Sequence, residues 1–260
     1  MSPAPLAGHA LAVAERVLGE EERARRHLVV ALSGAHADGF PSPDSDLDLK
    51  GVHVEPTARL LGLRPPPTHA TRVEVVDGVE VDYSSNEIAG VLIGLLGGNG
   101  NYLERILSAL TLRTSPELDS LRPLAVSAIS RRYYRHYAGF AAGQLRDFEA
   151  APAPTAKKVL YVLRTALTGA HLLRTGTLVV DVTELLDDYG LGEAHELVAT
   201  KRTGERVELI PAVRDPWVAK VQRALAALDE AHASSPLPEE APNAAELESW
   251  LLELRRLRFG

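Results

Sequence analysis

Strand-like alternation of apolar and polar residues is confined to the first 115 positions of this chain. The segment TRVEVVDGVEVDYSS (71–85) contains two valine-rich runs around Asp77-Gly78, a pair typical of two-residue hairpin turns. The runs at 27–32 and 46–56 predict two more strands, whereas helical periodicity prevails from residue 116 onward. The sequence therefore predicts an α+β fold, in which a small mixed sheet with flanking helices is followed by an all-helical lobe.

The change in periodicity divides the chain into two predicted domains, residues 1–115 and 116–260. An acidic loop in the first domain and a basic segment in the second favour two lobes that face a shared ligand, with the helical domain closing the cleft. The predicted helices are 5–26, 85–96, 101–109, 116–130, 131–149, 154–174, 184–200, 215–232 and 244–257.

The composition is that of a globular protein, with 45% hydrophobic and 24% charged residues. The chain has no cysteine, which excludes disulfides, thiolate metal sites and a cysteine nucleophile. It also has no apolar run near the roughly 20 residues of a membrane span, and no signal-peptide pattern at its start. These features predict a cytoplasmic protein without a membrane partner. The net charge of −7 argues against a generally basic nucleic-acid binder.

Carboxylates concentrate in the stretch SGAHADGFPSPDSDLDLKG (33–51), directly after an apolar run. Asp46 and Asp48 are two positions apart, so a strand places both on one face, where their repulsion predicts a positive group nearby. Glu80, Asp82 and Ser84 share a face of the second hairpin strand in the same way. Should Asp82 border the first pair in the sheet, three carboxylates converge on a site for Mg²⁺ or Mn²⁺. Such a site suits the two metal ions of phosphoryl or nucleotidyl transfer.

Two other interpretations of the acidic stretch stay open at this point. Asp44, Asp46, Asp48 and Glu55 fall at positions 1, 3, 5 and 12 of a calcium loop, but Leu49 takes the place of its glycine and the flanks read as strands. A solvated turn with capping aspartate and serine residues is the second interpretation.

The segment 131–174 is basic, with eight Arg or Lys residues and two acids. Within it, Lys157, Tyr161, Arg164, Thr168 and His171 recur on one continuous face of a predicted helix. Lysine, tyrosine and arginine in one stripe suit a triphosphate with a stacked base, although a solvated face has the same pattern. The nine histidines lack zinc-ligand spacing, and the chain has no phosphate-binding Walker A sequence.

The acidic stretch also resembles the G-S-x(n)-S-D-x-D-x-x-G pattern of polymerase beta-like nucleotidyltransferases. The likeness is greatest to the bacterial predicted-nucleotidyltransferase branch, with its G-F-x-S-P-x-S-D-x-D-x-x-G pattern. VEVDYSSNEI, GGNGNYLERI, KKVLYVLRTALTGAHLLRTGTL and KRTGE extend the resemblance over most of the chain. The matching residues of the core motif are Gly34, Gly39, Ser45, Asp46, Asp48 and Gly51.

The resemblance implies a role for each matching residue. Asp46 and Asp48 would hold two Mg²⁺ ions, and Asp82 would complete the catalytic metal site and accept or orient the attacking hydroxyl. Gly34 and Gly39 would let backbone amides approach the triphosphate. The remaining expected nucleotide contacts are Ser33, His36, Ser45, Lys157, Tyr161 and Arg164.

One position departs from the pattern of the resembling family. The Gly-Ser pair becomes Gly34-Ala35, which removes a hydroxyl expected on the β- or γ-phosphate. Losing a hydrogen bond to a charged group costs about 1.5 to 3 kcal/mol. Ser33, one residue earlier, can replace it only in part. We therefore expect weaker nucleotide binding with the metal site retained.

The expected activity is nucleotidyl transfer, in which a nucleoside monophosphate moves from an NTP (ATP by expectation) to a hydroxyl and pyrophosphate leaves. An RNA end, a protein or a small molecule can be the acceptor, and RNA repair is one setting for such a reaction. The alternative is a non-catalytic nucleotide- or RNA-binding relative of the same fold, favoured by Ala35. A metal-dependent phosphohydrolase is a third reading of the same carboxylates.

Overall fold

The structure, a computed structural model, describes residues 6, 8–205 and 207–259, and only the backbone of residues 211–214. By packing, the chain forms two units. The first contains residues 1–34, 46–128 and 241–260, and the second contains residues 35–45 and 129–240. This division differs from the predicted one after residue 115, because the helices at 116–127 and 244–257 belong to the first unit and residues 35–45 belong to the second.

A five-stranded mixed sheet forms the centre of the first unit, in the order β3-β4-β2-β1-β5. β4 and β2 run parallel, and the other three neighbouring pairs are antiparallel. The predicted α+β fold is thereby confirmed. The strands are β1 (Arg26–Leu32), β2 (Leu47–Val54), β3 (His69–Val76), β4 (Val79–Glu87) and β5 (Thr111–Thr114).

The hairpin predicted around Asp77-Gly78 is confirmed. Both turn residues have positive φ, 49° and 83°, as the favoured two-residue hairpin turn requires. β3 and β4 pair antiparallel on either side, with Val76 opposite Val79. This turn fixes the register of β4 and therefore the face on which its polar residues lie.

The helices of the first unit cover the sheet. Val13 and Val17 of α1 pack with Leu47 and Leu49, the odd-numbered positions of β2. α4, α5 and α6 pack against β1, β2 and β4. The helices are α1 (Gly8–Glu21), α3 (Thr57–Leu60), α4 (Ile88–Leu96), α5 (Gly100–Leu107), α6 (Pro116–Ser127) and α11 (Ala244–Leu257), and α2 (Gly34–Asp38) leads from this unit into the next.

The second unit is built around α8, which packs against α7, α9 and α10. Phe40, from the loop 35–45, is fully buried in the same apolar core as Leu160 and Leu163 of α8. The helices are α7 (Tyr133–Glu149), α8 (Ala156–Thr175), a 3-10 turn (Val182–Glu184), α9 (Ala194–Arg202) and α10 (Pro211–Ala233). Among the described residues, no helix has the length and apolar character to traverse a lipid bilayer.

The sequence misplaced the ends of two helices and missed three short elements. The helix predicted at 184–200 starts only at Ala194, because turns that include Gly190, with φ of 66°, precede it. β5 and the short helices α2 and α3 were not predicted. The helix predicted at 5–26 is confirmed between Gly8 and Glu21, and positions 5 and 7 lie outside the described residues.

Candidate active site

Asp48 on β2 and Asp82 on β4 are direct neighbours in the parallel pairing of the two strands. Residues that pair directly across adjacent strands project from the same face of a sheet, so the two carboxylates lie on one face. Asp82 is the more accessible of the two, with 45% of its side chain exposed against 25% for Asp48. The sequence predicted each face correctly, and the structure brings the two carboxylates together.

Lys50 supplies the positive group that the acidic stretch predicted. Its ammonium nitrogen lies 2.8 Å from Asp82 Oδ2 and 3.3 Å from Asp48 Oδ1. It also donates to the backbone carbonyl of Asp82 at 3.2 Å. One cation therefore binds both carboxylates, and only 16% of the lysine side chain is exposed.

Asp46 lies just before β2, next to this pair. Burial raises the pKa of Asp48 above its ordinary value, and the negative charges of Asp82 and Asp46 act in the same direction. The Lys50 ammonium opposes these effects on the pKa. Asp46 and Asp82 thus both act electrostatically on Asp48, although only Asp82 shares the lysine with it.

Asp48 and Asp82 fit a divalent ion such as Mg²⁺, because carboxylate oxygens are its preferred ligands and both carboxylates already converge on the Lys50 ammonium. Within the described parts of the chain, no group of three or more acidic or histidine side chains is preassembled to hold a metal. The three-carboxylate centre that includes Asp46 therefore stays a prediction. Glu55 of the alternative calcium loop is instead buried beside Arg59, at 3.0 Å.

Gly34 is the residue that lets the chain pass close to Asp48. Its φ is 58°, and a Cβ atom at this position would lie 2.0 Å from Asp48 Oδ2. The preceding residue, Ser33, donates its backbone N–H to the carbonyl of Asp48 at 3.0 Å. Any side chain in place of Gly34 would collide with a candidate metal ligand.

In the second unit, the loop 35–45 is held by residues that the sequence did not single out. Gly39 has φ of 91°, and a Cβ atom there would lie 1.9 Å from Asp181 Oδ1. Arg202 donates to the carbonyl of Gly39 at 2.6 Å. Ala35, which departs from the family's serine, is buried in the apolar core, where a hydroxyl would need a buried partner.

Ser45 and Lys157, two predicted nucleotide contacts, belong to a buried polar network around Glu205. Lys201, with no exposed side-chain surface, donates to Ser42 Oγ at 2.7 Å and to Ser45 Oγ at 2.8 Å. Lys201 and Lys157 both form ion pairs with Glu205. The lysines lower the pKa of Glu205 against the opposing effect of its burial. Two ammonium groups and two hydroxyls therefore surround one carboxylate.

The predicted basic face of α8 is directed at the loop 35–45. Arg164 pairs with Asp38 at 2.7 Å, and their side chains are only 12% and 3% exposed. Tyr161 packs edge-on against Phe40, with ring centroids 5.5 Å apart. Thr168, also on this face, is buried and donates to the carbonyl of Val179. Two residues of the helix face that the sequence assigned to nucleotide, Tyr161 and Arg164, thus contact the chain's own segment 35–45.

His36 and the segment GGNGNYLERI complete the predicted features. His36 is half-buried on α2, and its contact with nucleotide stays a prediction. In the segment, Asn99 caps α5 by accepting from the N–H of Asn101. Arg105 donates to Asn86 Oδ1 at 2.7 Å, and Asn86 lies on β4 on the same face as Asp82. Burial lowers the pKa of Arg105, and the opposing effects of Tyr102, Glu104 and Asp82 do not outweigh it.

Comparison with known proteins identifies the family. Residues 13–253 match RlaP, the RNA repair pathway DNA polymerase beta family. The chain belongs to this family. The nucleotidyltransferase resemblance noted in the sequence is thereby confirmed at the level of the family.

Two curated proteins are similar in sequence to this RlaP family member. MJ0002 of Methanocaldococcus jannaschii is 29% identical over 151 residues, which are 57% of this chain and 61% of that protein. YcgL of Bacillus subtilis is 26% identical over 212 residues, 75% of this chain and 79% of that protein. The match thus spans less than two thirds of the archaeal protein, and both proteins are named as uncharacterized.

A structural comparison aligns this RlaP family member with a nucleotidyltransferase-like protein from Exiguobacterium sibiricum 255-15. The alignment covers 94% of this chain and 79% of the other, with 14% sequence identity and a TM-score of 0.34.

Several residues of this RlaP family member went unnoticed in the sequence. Lys50 shares the even-numbered face of Asp46 and Asp48, so the alternation argument that selected the aspartates could have found it. Lys201 and Glu205 are four apart in KRTGE, the spacing of a helical ion pair. The pairing of Asp38 with Arg164 joins distant positions and leaves no local signal.

Proposed function

We propose that this protein is a metal-dependent nucleotidyltransferase, which moves a nucleoside monophosphate from an NTP to a hydroxyl and releases pyrophosphate. The observation that carries the proposal is the pairing of Asp48 and Asp82 on adjacent strands, where both carboxylates contact the Lys50 ammonium. Membership of the RNA repair pathway DNA polymerase beta family supports the same reaction class and favours an RNA end as acceptor. ATP as the donor and the cytoplasm as the location remain part of the proposal.

In this proposal, Asp48 and Asp82 hold Mg²⁺ or Mn²⁺, with Asp46 as the further ligand. When bound, the ion supplies positive charge, which lowers the pKa of the attacking hydroxyl and offsets charge at the reacting phosphate. Asp82, the more exposed carboxylate, orients the hydroxyl and accepts its proton. Gly34 keeps the space beside Asp48 open, since any larger residue would fill it.

The proposed nucleotide contacts are Ser33, Gly34, His36, Gly39, Ser45, Lys157, Tyr161 and Arg164. Lys157 is the best supported of the cations, because it is partly exposed and its ammonium lies 5.6 Å from the centre of the Tyr161 ring. A phosphate of the nucleotide would compete with Glu205 for the Lys157 ammonium, and a base would compete with this ammonium for the Tyr161 ring. Arg164 has the weakest support, because it already pairs with a buried carboxylate.

A non-catalytic nucleotide- or RNA-binding protein is the second candidate function. Two observations favour it: Ala35 replaces the family's serine, and Lys50 occupies the carboxylate pair. This candidate predicts binding of NTP without turnover. Incubating the protein with RNA and an NTP labelled at the α-phosphate distinguishes a nucleotidyltransferase, a phosphohydrolase and a binding protein. Transfer puts the label on RNA, a phosphohydrolase releases it as monophosphate or diphosphate, and a binding protein leaves the NTP intact.

Asp82→Asn tests the proposed catalytic role. The substitution preserves shape but removes the charge that holds the metal and accepts the proton. We expect turnover to fall by about 10²-fold or more, with NTP binding within a few-fold of wild type. Transfer of labelled monophosphate measures turnover, and calorimetry measures binding. Glu80→Gln is the matched control, because Glu80 is exposed two positions earlier on the same face. Wild-type turnover in Asp82→Asn would mean that Asp82 has no catalytic role.

Lys157→Ala tests the proposed phosphate contact. Loss of an ammonium from a triphosphate site is expected to weaken NTP binding by about tenfold, the effect of one hydrogen bond to a charged group. Titration calorimetry with and without Mg²⁺ measures this effect. Lys158→Ala provides the control, because the neighbouring lysine donates to the carbonyl of Asp147 on α7. Equal NTP affinity in both variants would assign Lys157 to the Glu205 network alone.

A further inference from the structure

The position of Lys50 has a consequence for metal binding. Its ammonium contacts three oxygens: Asp82 Oδ2 at 2.8 Å, the Asp82 carbonyl at 3.2 Å and Asp48 Oδ1 at 3.3 Å. A metal ion held by Asp48 and Asp82 would compete with this ammonium for their carboxylate oxygens. A hard divalent cation and an ammonium cannot share them, because like charges a few ångströms apart repel strongly at a partly buried site.

The sequence and the sheet register fix this arrangement. Lys50 follows Asp48 by two positions on β2, so both side chains leave the same face. In the parallel register, Asp82 stands opposite Asp48, which brings a second carboxylate within reach of the same ammonium. Without Lys50, two carboxylates would face each other uncompensated, and Asp46 would add a third charge.

We infer that Lys50 is an internal competitor for the divalent metal and sets the metal affinity of the site. In the metal-free protein its ammonium pairs with both Asp48 and Asp82. Metal binding must displace it, which the long, flexible lysine side chain allows. The inference rests on the proposed function, because the metal is the one assigned there to Asp48 and Asp82. Lys50 is thus an affinity-determining residue, with no part assigned to it in the chemical step.

Binding of Mn²⁺ to the full chain without nucleotide tests this inference. The free ion is measured by its electron paramagnetic resonance signal in wild type, Lys50→Met and Lys50→Arg. Because methionine removes the competing charge and keeps an unbranched chain, Lys50→Met should bind Mn²⁺ at least about tenfold more tightly. Lys50→Arg keeps the charge and should bind no more tightly than wild type. Lys158→Met is the matched control for loss of a lysine and should leave the affinity unchanged.

A second measurement uses only the wild-type protein, in case Lys50→Met does not fold. Acetylation of lysines, followed by mass spectrometry, should show that saturating Mn²⁺ raises the reactivity of Lys50 several-fold and leaves that of Lys158 unchanged. Equal Mn²⁺ affinity of wild type and Lys50→Met, or unchanged Lys50 reactivity at saturating Mn²⁺, overturns the inference but keeps the metal site. Weaker binding by Lys50→Met overturns it as well. Absence of Mn²⁺ binding in every variant overturns the proposed metal site itself.

Discussion

Arg164→Met is expected to lower the free energy of unfolding by about 3 to 5 kcal/mol, the usual effect of removing one partner of a buried ion pair. The guanidinium lies 2.7 Å from Asp38, and the aspartate side chain is 3% exposed. Methionine fills part of the space but removes the guanidinium that pairs with this buried carboxylate. Urea denaturation followed by circular dichroism measures the loss.

Two variants show whether the loss of this ion pair is responsible. Arg164→Met combined with Asp38→Asn removes both charges and should recover most of the lost stability. Arg174→Met, on the same helix, breaks an exposed pair with Glu230 and should cost less than about 1 kcal/mol. If Arg164→Met keeps its stability and loses affinity for NTP, the arginine is a nucleotide contact as the sequence suggested, and the structural role is wrong.

Acidification is expected to destabilise the first unit through two buried histidines, His27 and His53. His27 Nε2 lies 2.8 Å from the Tyr83 hydroxyl, and His53 Nδ1 lies 2.8 Å from Ser85 Oγ. Burial lowers the pKa of both histidines to about 4, and neighbouring positive charges act in the same direction. Both imidazoles are therefore neutral in the folded protein at pH values where exposed histidines are charged.

The direction of the pH effect follows from proton uptake. An unfolded histidine titrates near pH 6.5, so below this pH the unfolded state binds protons that the folded state rejects. The stabilising contribution is complete above about pH 6.5 and falls as the pH approaches about 4. The contribution of each histidine to the free energy of unfolding should fall by roughly 2 to 3 kcal/mol over this range, at about 1.4 kcal/mol per pH unit. Urea denaturation at about pH 7 and about pH 4.5 measures the change.

Single substitutions assign this pH dependence. His27→Gln and His53→Gln remove one titrating group each, so stability should decline less between the two pH values than in wild type, whatever the cost at neutral pH. His195→Gln replaces a half-exposed histidine of the second unit and should not alter the decline. Wild-type pH dependence in both buried-site variants would show that other groups, such as the carboxylates, cause the acid effect.

Features that depend on nearby residues were predicted well from the sequence. The hairpin follows from the conformation that Asp77-Gly78 favours, and the faces of Asp48 and Asp82 follow from strand alternation. Pairing of β2 with β4 could only be supposed, because a parallel pair joins strands that are distant in sequence. Convergence of the two carboxylates was therefore predicted only on the condition that Asp82 borders Asp48 in the sheet, and the pairing of β2 with β4 meets this condition.

Contacts between distant segments account for the other differences. The periodicity of α8 predicted a face with Lys157, Tyr161 and Arg164, but periodicity does not say what covers a face. Asp38 and Phe40, more than 100 positions earlier, cover part of it. Partly charged helix faces have the same pattern when they bind solvent, ligand or another part of the chain, so only the structure separates these cases.

The interleaving of the two units has a consequence for synthesis of the chain. The strands of the sheet all lie between residues 26 and 114. Two of the contacts in this part of the chain are nevertheless made with the C-terminal segment. Arg255 of α11 pairs with the buried Glu87 at 2.6 Å, and Thr57 donates its N–H to the carbonyl of Arg258. On the ribosome, the strands that carry Asp48 and Asp82 emerge first, whereas these partners emerge some 200 residues after Thr57. The first unit, which carries the candidate active site, therefore cannot complete its packing until the second unit has been synthesised, and until then Glu87 lacks its ion pair with Arg255.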